Sequence, residues 1–155
     1  MTSDDLNTNE EIQKEATGPV GRKPILCLDF DGVIHDYKEG WKEGQIYGHT
    51  TPGFWEWALA AKDYFELHIF SSRSGKQYND MYGWMRTEYG IWIKDSFETP
   101  EQIKNSPSWE QFGFVFDRQK PPAFITIDDR AITFQGNWAQ LNPEVLRGFK
   151  PWNAK

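Results

Sequence analysis

The sequence predicts an α/β fold built on a parallel sheet. Three observations lead to this: short apolar runs recur along the chain, each run is followed by a polar residue, and segments with helical spacing separate the runs. A continuous apolar run is typical of a strand that is covered on both faces, as in a parallel sheet. Because such strands alternate with helices here, right-handed crossover connections are expected to place them side by side.

Four apolar runs are predicted as strands. Each consists mainly of aliphatic and aromatic residues and ends directly before a serine or an aspartate. The runs are 25–28, 65–70, 112–116 and 123–127, and the residues that follow them are Asp29, Ser71, Asp117 and Asp128.

Helices are predicted between the strands. Thr51 and Pro52 are residue types of an N-cap and a first helical turn, and apolar residues follow them at helical spacing. In the next segment, tyrosine and methionine side chains recur every three or four residues, and Gly90 is expected to end that helix. The predicted helices are 51–61, 76–89 and a last short one at 143–148, and a further short strand is an option at 91–93.

The length of 155 residues predicts one compact domain. Residues 1–23 are polar and acidic, with too few large apolar side chains to offset the entropy cost of ordering them. We therefore expect a flexible acidic tail at 1–23 and a single folded domain at 24–155.

Charge and composition exclude several classes of protein. Lys and Arg total 17 against 23 Asp and Glu, which gives a formal net charge of -6. Surplus negative charge gives no general attraction to nucleic acid, so such a partner stays an option that the net charge does not favour. No apolar run approaches the ~20 residues that cross a bilayer, so no membrane partner is expected. A single cysteine, Cys27, and an N-terminus without an apolar leader predict a cytoplasmic location.

Acidic residues follow the first and the fourth predicted strands. Asp29 and Asp31 are separated by one residue and precede Gly32, whereas Asp128 and Asp129 are adjacent. The carboxyl ends of parallel strands meet at one edge of a sheet, so the two pairs are expected to lie close together. Carboxylates at such short distances repel one another unless a cation neutralises them, and oxygen ligands of this type suit Mg²⁺. Each pair alone also fits an ordinary turn or a helix cap.

Two further segments carry groups that suit phosphate. Ser71, Ser72 and Arg73 follow the second strand, where a hydroxyl and the next backbone N–H groups are able to hold a phosphate oxygen. Lys120 precedes the fourth strand and supplies positive charge for a phosphoryl group or for a nucleophilic carboxylate.

Taken in this order, the residues resemble the four motifs of the haloacid dehalogenase (HAD) superfamily of phosphohydrolases. The stretch ILCLDFDGVI is similar to the first motif, LHIFSSR to the second, and KPPAFITIDDR to the third and fourth. The resemblance implies a three-layer Rossmann-like parallel sheet with a HAD-like core and a short flap after the first strand. The intervals between the motifs are too short for an inserted domain, so we expect no cap domain.

The resemblance also implies a role for each site residue. Asp29 would be the nucleophile that forms an aspartyl-phosphate, and Asp31 the general acid and base. Ser71 would contact the phosphate, with Ser72 as the alternative, and Lys120 would stabilise charge beside the nucleophile. The implied metal ligands are Asp29, Asp31 through its backbone carbonyl, Asp128 and Asp129. The predicted substrate-binding residues are Gly32, Ser72 and Arg73, and the alternative for Arg73 is to orient an acid through bidentate pairing.

The substrate stays open at this stage. A family member without a cap has an open site, which often goes with macromolecular substrates or with oligomers whose neighbours close the site. We expect a phosphomonoester of unknown size, and the alternative is a polynucleotide or nucleotide end-processing phosphatase. The flap at 35–50 contains rings that are able to stack on a base, namely Tyr37, Trp41, Tyr47 and His49.

Two other classes of protein use a similar set of residues. A signalling receiver domain also combines an acceptor Asp, an acid pair, a Ser or Thr and a Lys, but its acid pair follows the first strand and its acceptor the third. Here the Asp-x-Asp pair comes first and the acid pair last. The other class is a non-catalytic phospho-binding module of the same fold, which the presence of every required side chain disfavours.

Overall fold

The computed structural model describes residues 22–75 and 77–154 and contains one parallel sheet of four strands. The strand order is β3-β2-β1-β4, and every neighbouring pair is parallel. This confirms the predicted α/β class. The strands are β1 (Ile25–Leu28), β2 (Glu66–Ile69), β3 (Val115–Phe116) and β4 (Ile125–Ile127).

Register places one set of apolar side chains on a single face of the sheet. Leu26 of β1 pairs with Leu67 of β2 and Ile125 of β4, and two residues later Leu28 pairs with Ile69 and with Ile127. Successive strand residues point to opposite faces, so these alternate positions share one face. The β1 and β2 members of this set belong to the buried core.

Helices cover that face. The first, α1 (Phe54–Ala61), buries Phe54, Trp55, Ala58 and Ala61, and α2 (Tyr78–Ser96) contributes Met81 and Met85 to the same cluster. A 3₁₀ helix (Trp109–Phe112) adds two aromatic rings, of which Phe112 lies 5.4 Å from Trp55, centroid to centroid. The short helices α3 (Pro100–Lys104), α4 (Pro143–Arg147) and a second 3₁₀ turn (Trp138–Gln140) bury no residue.

The opposite face of the sheet also contains buried residues. Its residues Cys27 and His68 are buried, and the ring nitrogen Nδ1 of His68 lies 2.6 Å from an oxygen of Asp117, which follows β3. The link from β3 to β4 contains Pro121-Pro122, and consecutive prolines prevent a helix there. The described residues of this link contain no helix, and the three-layer arrangement stays a prediction.

Gly90 does not end α2, which is a correction to the prediction from sequence. The helix continues to Ser96 and includes 91–93, where a short strand was an option. Glycine inside a helix costs about 1 kcal/mol relative to alanine. Tyr89 and Trp92 pack against the core at helical spacing, and this burial outweighs the weak local signal.

The third predicted strand is also shorter than expected. Phe112, at its predicted start, is instead the last residue of the 3₁₀ helix, which Ser108 and Gln111 cap reciprocally. Gly113 then takes a left-handed conformation with φ of 64°, so pairing with β2 begins only at Val115.

The segment 35–50, the flap of the sequence prediction, contains no helix or strand. Its ends are tied together, because His35 forms a β-bridge with Thr50 and the N–H of Thr51 donates to the carbonyl of Ile34. The predicted tail lies almost wholly outside the described residues. Among the described helices, none combines the length and the hydropathy that crossing a membrane requires.

We expect Gly90→Ala to raise the free energy of unfolding by about 0.5–1 kcal/mol, because alanine lowers the entropy of the unfolded chain. Gly90 is exposed in α2, and an added Cβ would meet no atom within 4 Å. Gly113→Ala is the matched control, since space is equally free there but φ is positive. Urea denaturation should show stabilisation for the first variant and destabilisation for the second; the reverse order would contradict this account of α2.

Candidate functional site

Three carboxylates meet where β1 and β4 end. Asp29 follows β1, and Asp128 and Asp129 follow its parallel neighbour β4. The backbone N–H of Asp29 donates to the carbonyl of Ile127 at 3.0 Å, which joins the two strand ends. One oxygen from each of the three acids lies within 4.8 Å of the others. The structure thus brings together three of the acids that the sequence singled out.

The carboxylate of Asp129 is enclosed by the protein. Its side chain is 2% exposed, and neither carboxylate oxygen has a hydrogen-bond partner among the described residues. Arg130 approaches only to 3.8 Å. Gly32 lies directly against this carboxylate, so a Cβ at that position would overlap it. Buried anionic oxygens without donors are costly, and a hard divalent cation with oxygen ligands would satisfy them.

Burial and mutual repulsion disfavour the ionised form of the cluster. Burial raises the pKa of Asp29 to about 7, with further contributions from the charges of Asp128 and Asp129. Burial is also the main cause that raises the pKa of Asp129. The cluster therefore favours uptake of a proton or a cation near neutral pH, and the residues present fit Mg²⁺.

Asp31 lies outside the acid cluster. Its two side-chain oxygens contact other groups: Oδ1 lies 3.0 Å from Nδ1 of His35, and Oδ2 accepts from Nε of Arg73 at 2.7 Å. Burial alone would raise the pKa of Asp31, but the hydrogen bonds from His35 and Arg73, together with their charges, hold it below its usual value. Both of its side-chain oxygens are thus engaged, and the metal role implied for its backbone carbonyl stays a prediction.

Arg73 and His35 are both buried. Arg73 is 2% exposed and His35 is fully enclosed by rings, including Tyr47 at 4.8 Å and Trp84 at 5.3 Å between centroids. The assignment of Arg73 to substrate binding stays a prediction, and in the structure its contacts lie within the protein. Arg73 is the last residue of the stretch that resembles the second motif, whereas no motif singled out His35.

The two serines of the second motif differ in exposure. Ser71 is buried, and its hydroxyl accepts from the N–H of Arg73 at 3.0 Å. The N–H of Ser71 donates to the hydroxyl of Ser74, which sequence reasoning missed. Ser72 is exposed. The turn after β2 is thus held by local serine hydrogen bonds, which are common in such turns.

Gly32 and Lys120 are placed differently from the acids. The N–H of Gly32 donates to the carbonyl of His35, and its own carbonyl accepts from the indole of Trp152 at 2.7 Å. Lys120 is exposed before β4. Within the described residues, no ion pair between Lys120 and Asp29 forms.

The C-terminal segment reaches the candidate site, which no sequence signal indicated. Besides the contact of Trp152 with Gly32, the side-chain amide of Asn153 donates to the carbonyl of Asp36 at 2.7 Å. These contacts join residues more than a hundred positions apart, so only the folded chain reveals them.

The flap aromatics divide into packed and exposed rings. The hydroxyl of Tyr47 donates to the carbonyl of Gly40, and the rings of Tyr37 and Tyr47 pack edge-on against His35. His49 contacts Glu88. Trp41 is 58% exposed, with the guanidinium of Arg73 on its ring at 4.7 Å.

We expect Mg²⁺ to raise the melting temperature of the wild-type protein, because a cation bound only by the folded state stabilises it, by about 2.7 kcal/mol at 100 times its Kd. Asp129→Asn should remove most of this shift. Asp63→Asn, which changes an exposed acid, is the control and should retain it. Equal shifts in both variants would contradict a cation site at Asp129.

We expect Asp29→Asn to stabilise the protein more at pH 8 than at pH 5 when EDTA is present. The folded-state pKa of Asp29, about 7, lies above its ordinary value of 3.8, so stability from this group is full below pH 3.8 and is lost as pH rises through 7. Asparagine does not ionise, so the variant lacks this loss. Urea denaturation at the two pH values measures the difference, which would be the same at both if Asp29 were not perturbed.

Comparison of the chain with protein-family models, with curated proteins and with solved structures finds no match. The function of this site is therefore inferred from the residues that the fold brings together and from their chemistry.

Proposed function

We propose that this protein is a Mg²⁺-dependent phosphatase of the HAD type, which hydrolyses a phosphomonoester through an aspartyl-phosphate on Asp29. The observation that carries the proposal is the convergence of Asp29, Asp128 and Asp129, with oxygens within 4.8 Å, at the ends of two adjacent parallel strands. Asp129 strengthens it, because both of its buried oxygens have no hydrogen-bond partner among the described residues.

The sheet order supports the same proposal. Strand β1, which precedes Asp29, lies between β2, which precedes Ser71, and β4, which precedes Asp128 and Asp129. Ligands of open parallel sheets bind at the carboxyl ends of the strands. A phosphoryl group beside Asp29 would thus have acids on one side and the serine turn on the other.

The reaction would proceed in two displacements. An oxygen of Asp29 attacks phosphorus, and the bond from phosphorus to the leaving oxygen breaks as that oxygen takes a proton from Asp31. Water then attacks the aspartyl-phosphate, its proton passes to Asp31, and inorganic phosphate leaves with Asp29 restored. When bound, Mg²⁺ neutralises the carboxylates and offsets the repulsion between the nucleophile and the phosphate dianion.

The contacts of Asp31 favour one of its two roles in the state that the structure describes. Hydrogen bonds from His35 and Arg73 stabilise the ionised carboxylate, which suits a base. Proton donation in the first displacement needs the protonated form. The negative charge of an arriving phosphate raises the pKa of a nearby carboxyl, which favours that form when substrate binds.

A second candidate is a phosphatase that processes nucleotide or polynucleotide ends. The exposed ring of Trp41 favours it, because aromatic rings stack on bases without regard to sequence. The net charge of -6 opposes long polynucleotides. Turnover of nucleoside monophosphates against glycerol phosphate would separate the two candidates.

We expect Mg²⁺-dependent hydrolysis of p-nitrophenyl phosphate by the wild-type protein. Asp29→Asn should abolish turnover because it removes the nucleophile. Asp31→Asn should slow turnover of an alkyl phosphate by about 10²- to 10⁴-fold, the usual contribution of acid–base catalysis. Release of p-nitrophenol, or of phosphate from the alkyl ester, measures both effects, and Asp63→Asn is the control.

Hydrolysis that survives EDTA or Asp29→Asn would contradict the proposed mechanism. Binding of phosphate with Mg²⁺ but without turnover would instead indicate the non-catalytic phospho-binding module.

A further inference from the structure

Arg73 joins three parts of the candidate site. Its Nε donates to Asp31 at 2.7 Å, and its Nη1 donates both to the carbonyl of Gly44 in the flap, at 2.8 Å, and to the side chain of Gln77, at 2.7 Å. Trp41, also in the flap, covers the guanidinium. One buried side chain thus contacts the Asp-x-Asp motif, the flap and the residue that precedes α2.

The flap is shaped to receive this side chain. Gly44 has a φ of 83°, and an added Cβ would overlap the side-chain amide of Gln77. Glycine therefore fits best at this position, beside the side chains of Arg73 and Gln77. The ends of the flap are held at His35 and Thr50, whereas Arg73 binds near its middle. The guanidinium of Arg73 therefore links Asp31 to the middle of the flap, at Gly44, which is the part furthest from the two ends of the flap.

The guanidinium geometry makes Arg73 hard to replace. A planar fork is able to bind a carboxylate and a carbonyl at once, which a lysine ammonium cannot do with the same rigidity. Truncating one partner of a buried ion pair leaves the other charge without compensation. Loss of Arg73 would therefore free Asp31 to change orientation and would release the flap.

We propose that Arg73 is a positioning residue, which acts through Asp31 and holds the carboxylate and the flap at Gly44 in one arrangement. In its catalytic part, this inference rests on the proposed phosphatase function. It differs from the favoured prediction from sequence, in which Arg73 contacts substrate, and agrees with the alternative that it orients an acid. The 2% exposure of Arg73 and its donation to Asp31, Gly44 and Gln77 favour the positioning role.

The test is a double-mutant cycle on Asp31→Asn and Arg73→Met with two substrates. With glycerol phosphate, whose leaving oxygen needs a proton, Arg73→Met should lower kcat by about 10²- to 10⁴-fold with little change in KM. With p-nitrophenyl phosphate, whose leaving group needs little protonation, the loss should be smaller. In the Asp31→Asn background, Arg73→Met should add little, because its effect passes through Asp31. Arg86→Met, the same change at an exposed site on α2, is the control.

A direct contact with phosphate would give a different pattern. Arg73→Met would then raise KM and weaken inhibition by inorganic phosphate, equally with and without Asp31→Asn. That result would overturn the proposal. If Arg73→Met does not fold, Arg73→Lys and the Asp31→Asn/Arg73→Met double variant take its place, since the first keeps the charge and the second removes both charges.

Hydrogen exchange measured by mass spectrometry tests the flap contact without any turnover. Amides at 36–49 should exchange faster in Arg73→Met or Arg73→Lys than in the wild-type protein or Arg86→Met. Unchanged exchange in both Arg73 variants would overturn the proposal. A wild-type protein without phosphatase activity, but with faster flap exchange in these variants, would refute the proposed function and leave Arg73 as the link between the flap and Asp31.

Discussion

The parallel pairing of β1 with β4 is the constraint on which the candidate site depends. It brings Asp29 beside Asp128 and Asp129, although about a hundred residues separate them along the chain. Like charges at such short distances oppose folding unless a cation or a proton neutralises them, and here the side chain of Asp129 is also buried. The pairing that completes the sheet therefore also creates a site at its edge where a cation or a proton would relieve the repulsion.

Asp31, two residues after Asp29 along the chain, forms a second charge cluster with His35 and Arg73. Burial and neighbouring acids raise the pKa of Asp29, whereas His35 and Arg73 lower that of Asp31 despite its burial. Two carboxylates of one motif thus have opposite preferences for a proton. Environments that push neighbouring pKa values apart are typical of sites in which two acids perform different steps. The proposed division between a nucleophile and an acid–base group is consistent with this difference.

Local sequence signals were reliable where tertiary packing agreed with them. The run before Asp29 forms β1 as predicted, because its apolar side chains are covered on both faces. The end of α2 was predicted wrongly at Gly90, because the packing of Tyr89 and Trp92 extends the helix past it. The second helical layer, which only the family resemblance implies, stays a prediction, and the Pro121-Pro122 link contains no helix.

The sequence by itself determined which chemistry is available and in what order along the chain. Apolar runs and the polar residues after them predicted the sheet, and the acids at 29, 128 and 129 were singled out because strand ends converge. Only the tertiary structure decided the partners of each side chain. Arg73 binds Asp31 and Gly44, and Trp152 binds Gly32. Such contacts depend on how distant loops close over the sheet, and residue type or spacing does not encode that geometry locally.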